Sequence, residues 1–203
     1  MQSKSRKKAS LRDLSRHSLE DWDAYTKEAS GESDRACALL VAAVLDHTMV
    51  ELIRSKLIAS SADDDELIFF SDGAPLGTFH GKTIMAFALG IIDASERKDL
   101  DVIRRIRNAF AHSATSVTFE TDLIALECDK LANCTSATLT SEVDTPRVKF
   151  LETAHTIYHR LFDRFIKDAD AQLQEMEQGL DELNRVLDEF SEVGEKPQDD
   201  AKA

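Results

Sequence analysis

From Phe162 onward the apolar residues of this sequence fall at Phe162, Ile166, Ala169, Leu173, Met176, Leu180, Leu183, Leu187 and Phe190. The steps alternate four and three without a miss. That spacing puts all nine on one stripe of a helix and on no single face of a strand. It demands a continuous helix carrying a coiled-coil seam over about four heptads. Such a seam has to be covered, either by the chain's own first helix or by a second copy. Only 7 Gly and 3 Pro interrupt 203 residues, too few for the many turns of a sheet protein, so the remainder also reads as helix. The expected fold class is all-α: a helical bundle with a long C-terminal helix carrying coiled-coil heptads.

Thr145-Pro146 opens this last helix, with Pro in the first turn, where its missing N–H costs little. At the other end, Leu11, Leu14, Leu19 and Trp22 predict an amphipathic helix over 10–29, followed by a break at Ser30-Gly31-Glu32. Ser33 is the N-cap expected for the next helix, 34–59. That helix is apolar nearly all round between Ala36 and Leu45, as a helix buried on several sides would be. Asp46 and Glu51 lie within or just beyond this stretch, and carboxylates in such surroundings need partners. A short helix over 63–70, a turn over 71–75 and a long helix over 78–92 follow. The helix expected over 94–112 begins with a capping box, Asp93 and Glu96. Residues 113–144 read as an extended piece at 117–119, a helix over 122–131 and a Ser/Thr-rich loop. The expected organisation is a disordered basic tail (1–9), a bundle domain (10–165), a heptad extension (166–190) and a disordered acidic tail (191–203).

Charge narrows the function classes. The net charge is −13, yet the first 16 residues carry +5, leaving −18 on the rest. A body that acidic repels phosphate backbones, which proteins bind by displacing counterions with Lys and Arg. Direct sequence-specific DNA reading by this chain is therefore not expected. Cys37, Cys128 and Cys134 form no C-x-x-C pair, so neither a disulfide framework nor a metal site is indicated, and the compartment expected is the cytoplasm. The longest uninterrupted apolar run, Ala36 to Leu45, is too short to cross a bilayer. No cofactor motif stands out: Gly77-Thr78-Phe79-His80-Gly81-Lys82-Thr83 fails the phosphate-loop spacing, because Leu76 stands where the first glycine should. It reads as a Gly turn into a helix.

The most informative stretch is Arg104-Arg105-Ile106-Arg107-Asn108-Ala109-Phe110-Ala111-His112. At about 100° per residue, Leu100, Ile103, Ile106 and Phe110 form its buried stripe, and Arg107 falls inside that arc. Asn108 and His112 stack at i, i+4 beside Arg104. An Arg so placed either pairs with a buried acid, Asp46 or Glu51, or presents its guanidinium in a cleft.

Two resemblances attach to these residues. Arg107-Asn108-x-x-x-His112 resembles the Arg-x4–6-His signature of HEPN domains, small helical bundles of which many are metal-independent ribonucleases and toxin or defence modules. That resemblance implies His112 as general acid/base, Arg107 as stabiliser of charge at the phosphate and Asn108 as a supporting polar group. A longer resemblance spans about residues 30 to 165. Asp34-Arg35-Ala36, Leu45-Asp46, Pro75-Leu76-Gly77-Thr78-Phe79, Lys82, Ala88-Leu89-Gly90, Asp99-Leu100, Ile103 to His112, Cys128 to Leu131 and Pro146-Arg147-x-x-Phe150 are similar to the mannitol operon repressor (MtlR) family. It implies a regulator that lowers expression of a sugar-alcohol operon. Asp34, Arg35, Asp46, Gly77, Lys82 and Arg104 are then family-motif residues with docking roles. No helix-turn-helix with a basic recognition helix is visible. The partners expected are a protein, an RNA, or both, with a homodimer among the assemblies and no membrane.

Overall fold

The computed structural model describes residues 22–57, 61–133 and 145–194. Every regular element among them is helical: α1 (Trp22–Gly31), α2 (Asp34–Lys56), α3 (Ala62–Asp65) running into a π-helical turn (Glu66–Phe70), α4 (Phe79–Ala88), α5 (Ala94–His112), α6 (Asp122–Cys128) and α7 (Pro146–Gly194). The all-α bundle is what the scarcity of Gly and Pro implied. The basic tail, the residues of the first helix before Trp22, Cys134, most of the Ser/Thr-rich loop and the residues after Gly194 lie outside the described residues; α7 continues through Gly194, four residues into the tail expected to be disordered from 191.

The chain divides into two compact units that meet at Phe162 and Asp163, within α7. In the first, α2 packs against α1, α4 and α5, while α5 also packs on α4 and α6. Contact on three sides explains why α2 needs no polar face: Cys37, Ala38, Leu45, Met49, Leu52 and Ile53 are wholly buried. α2 is long and apolar enough to span a membrane, but these side chains are buried in protein instead. Aromatic rings link the far side of the core. Phe119 lies 4.9 Å from Phe110 of α5 and 5.1 Å from Phe150 of α7, centroid to centroid. Stacked at tilted angles, the three rings fix the loop after α5 between two helices.

Helix boundaries follow local chemistry. Ser33 accepts from the Ala36 N–H at 3.3 Å, and Asp93 and Glu96 form the expected capping box, with bonds of 2.8–2.9 Å. A second capping box, Ser61 with Asp64, starts α3 one residue before the helix expected at 63. That short helix widens after Asp65: the Ser71 N–H reaches back five residues to the Glu66 carbonyl at 2.7 Å. α4 ends at Ala88, not near Ile92. Gly90, at φ +71°, reverses the chain, with Gly90 N–H bonding to Phe87 O and Ile91 N–H to Ala86 O. This is a Schellman close, which favours glycine at its left-handed position. α6 likewise stops at Cys128, short of Leu131. Residues 117–119 are irregular rather than a strand.

Candidate functional site

The charged residues sort into those the fold consumes and those it leaves to solvent. Lys82, on α4, is 3% exposed and places its Nζ 3.0 and 2.9 Å from the two carboxylate oxygens of Asp46 on α2. Asp34, at the start of α2, accepts from the Phe119 N–H at 2.9 Å and pairs with Arg147 of α7. The same guanidinium donates to the carbonyls of Ala29, Ser30 and Glu32 at 2.9–3.2 Å. Arg147 thus caps the C-terminal end of α1, where carbonyls have no helical partner. Arg35 donates to the carbonyls of Ser113 and Thr115, both at 3.0 Å, and fastens the segment leaving α5. Gly77 sits in a tight turn; a Cβ there would meet the Ala74 carbonyl oxygen at 3.2 Å. Four of the residues for which the resemblance implied docking roles, Asp34, Arg35, Asp46 and Lys82, are therefore ties between elements.

One of the two roles expected for Arg107 was an ion pair with Asp46 or Glu51. The structure corrects this: Asp46 belongs to Lys82, and Glu51 to Arg54 at 2.6 Å. Arg107 is half-buried and makes no hydrogen bond or ion pair among the described residues. It stands at the edge of the apolar arc, where a long side chain can run along the surface and keep its head in water. The buried charges on α5 are Glu96 and Asp99, both 0% exposed. Asp99 accepts from the backbone N–H groups of Ala132 and Asn133 and from the Asn133 side chain at 2.8–3.0 Å. Arg160 of α7 donates to Asn133 Oδ1 at 2.8 Å and lies 3.7 Å from Glu96. Asn133 and Arg160 were missed from sequence, since isolated polar residues carry no spacing signal.

Asn108 is half-buried and His112 exposed at the last turn of α5, and neither has a partner among the described residues. Arg107 and His112 are about 7.5 Å apart along the helix axis. Arg104 bonds Asp101 through Nε and Nη2 at 3.1 and 2.7 Å. Arg105 bridges the same Asp101 to Glu127 of α6. Partial burial works against the ionised Asp101, but the hydrogen bond and charge of Arg104, helped by Arg105 and His80, outweigh it and hold this carboxyl below the usual range. Burial pushes the Cys37 thiol up to about 11 and the Cys128 thiol to about 12, which makes both poor nucleophiles. Among the described residues no His, Cys, Asp and Glu cluster could hold a metal.

A cleft of about 330 Å³ opens between α4 and α5. His80, Thr83, Ile84 and Phe87 line it from α4, and Ala94, Arg97, Lys98 and Asp101 from α5. Ile84, Phe87 and the adjoining Leu89 are each more than a third exposed. The Arg97 guanidinium lies over the Phe87 ring, 4.8 Å from its centroid. The cleft is thus apolar along α4 and basic at one edge. Of its residues the sequence reading touched only the Gly77–Thr83 stretch. The available signal was that α4 is apolar on more than one side, too much for a ten-residue helix to bury.

No protein-family model matches this chain and no curated protein matches it. By fold, it is similar to MtlR. The solved structure concerned is that of the MtlR–HPr complex from Escherichia coli, at 15% sequence identity and a TM-score of 0.50. The match covers 98% of that chain and 68% of this one, so about a third of this chain has no counterpart in it. At this identity the likeness is one of fold.

Proposed function

We propose that this chain is a cytoplasmic regulator of the MtlR type that works by docking a protein partner rather than by reading DNA. The observation that carries the reading is the α4/α5 cleft. Ile84, Phe87 and Leu89 stand exposed beside Arg97 and Lys98, on a chain whose net charge is −13. Exposed apolar side chains with a basic rim suit a protein surface that brings its own apolar anchor and an acidic edge. MtlR is found in a complex with the protein HPr, and an HPr-type protein is the first partner to try. The regulated operon is of the sugar-alcohol type. The test is calorimetric titration of HPr from the same cells into wild type and Phe87→Glu. Wild type should bind, and the substitution should weaken binding at least tenfold, about 1.4 kcal/mol. Unchanged affinity would remove the cleft from the interface. Loss of the gene without effect on any sugar-alcohol operon would overturn the regulatory reading.

A second reading, an HEPN-type metal-independent ribonuclease, is favoured by one observation. Arg107, Asn108 and His112 have no structural partner among the described residues, so architecture does not account for them. General acid/base chemistry by His112 with charge stabilisation by Arg107 is the role they would fill. RNA cleavage in EDTA that yields 2′,3′-cyclic phosphate ends and vanishes in His112→Ala would establish this reading against the first. No cleavage would remove it.

A further inference from the structure

The C-terminal unit, taken by itself, is a helix whose apolar stripe stands in solvent. Ile166, Leu173, Met176, Leu180, Leu183 and Leu187 are each between 43% and 64% exposed. Single exposed apolar residues are ordinary, whereas six in one register make the continuous patch that marks an interface. From Ile166 to Leu187 the stripe runs about 32 Å at about 1.5 Å per residue. Whatever covers it must be a helix of that length whose own apolar residues repeat every 3.5 positions, since only a matching period keeps the two seams facing each other.

Among the described helices, α2 and α5 approach the length, at 23 and 19 residues. Both bury their apolar faces in the bundle. The helix with an unburied heptad seam is α7. Its charge pattern is also compatible with a copy of itself. The acids Asp168, Glu175, Asp181 and Glu182 fall one or two places past the core positions Ile166, Leu173 and Leu180, on the outer face. The positions flanking the seam from Phe165 to Val186 hold only two charges, Asp170 and Glu177; the rest, such as Gln172 and Asn184, are neutral. Two such helices approach with their acidic faces turned outward, and little like-charge repulsion crosses the seam.

We infer that the heptad segment of α7 pairs with the same segment of a second copy, so that the protein assembles as a homodimer through this helix. The inference is independent of which partner the α4/α5 cleft takes. The test is sedimentation equilibrium of the full chain at micromolar concentration, with circular dichroism to check folding. Wild type should sediment at twice the 22.6 kDa of one chain. Leu173→Asp with Leu180→Asp should halve the mass while the thermal transition of the bundle stays. Should that variant misfold, Leu180→Ser alone should raise the dimer dissociation constant at least tenfold, and the outer-face change Glu175→Ser should leave it unaltered. A monomeric wild type overturns the inference, as does a dimer indifferent to the seam substitutions.

Discussion

Removing either member of the Lys82–Asp46 pair should destabilise the fold by unequal amounts. The Lys82 side chain is 4% exposed and that of Asp46 is 31% exposed. Asp46→Ala strands an ammonium in the interior without either of its carboxylate oxygens. Stranding a buried charge costs about 3–5 kcal/mol. Lys82→Met keeps most of the volume and removes the buried charge, leaving a carboxylate that water reaches. The loss there is of the order of a hydrogen bond to a charged group, about 1.5–3 kcal/mol. The double variant Asp46→Ala/Lys82→Met should be no worse than Asp46→Ala alone, since the stranded cation is gone. With total stabilities of about 5–15 kcal/mol, such differences are easily read from the midpoint of urea unfolding followed at the helix band, provided the slope is unchanged. Equal and small effects, under about 0.5 kcal/mol for both single variants, would refute the reasoning, because they would mean that solvent already screens the pair.

Three further outcomes follow from other contacts. Asp101 is held below the usual carboxylate range by Arg104 and Arg105, so its contribution is present above its unfolded value, about 3.9, and is lost as pH falls through the lower folded value. Acid unfolding of Asp101→Asn should accordingly show a flatter dependence on pH below about 4 than wild type. Cys37 and Cys128, raised to about 11 and about 12, should resist alkylation in the native protein and label on unfolding, as peptide mapping would show. Because the unfolded thiols ionise near about 8.5, stability should also fall as pH rises above that value. Gly90→Ala should cost about 1 kcal/mol by thermal melting: its φ of +71° is the strain, as no atom lies within 4 Å of the added methyl.

The parts of the fold legible in the sequence are those whose signal is local or periodic. The capping box at Asp93, the buried α2 and the Pro146 start each rest on a few residues read in order. The helix expected over 78–92 stops at Ala88 because Gly90, in the left-handed region, closes it. The ion pair offered for Arg107 failed for a different reason. A helical wheel gives direction around the axis, and a long cationic side chain at the edge of an apolar arc can turn outward. The same wheel puts Asp99 in the middle of the arc, but its partners are backbone N–H groups after α6, which no sequence pattern specifies. The α4/α5 cleft is a relation between two helices and could be seen only after they were packed.

The distribution of partners is itself an argument about where function lies. A fold this rich in charge could have left its ionic groups scattered in solvent, yet Asp34, Arg35, Asp46, Lys82, Asp99 and Arg147 each join segments far apart in sequence. Their roles are accounted for by geometry, so their place in a family-like pattern needs no ligand to explain it. Arg107, Asn108 and His112 do not fit that account, and nor does the apolar edge of α4. Arg107→Met and His112→Ala should therefore leave the unfolding midpoint within about 0.5 kcal/mol of wild type, whereas Arg147→Met should lower stability by several times that. If Arg107→Met instead destabilised the bundle as much as Arg147→Met, the division between architectural and free cations would be wrong. Arg107 would then return to the architecture and take with it the case for cleavage.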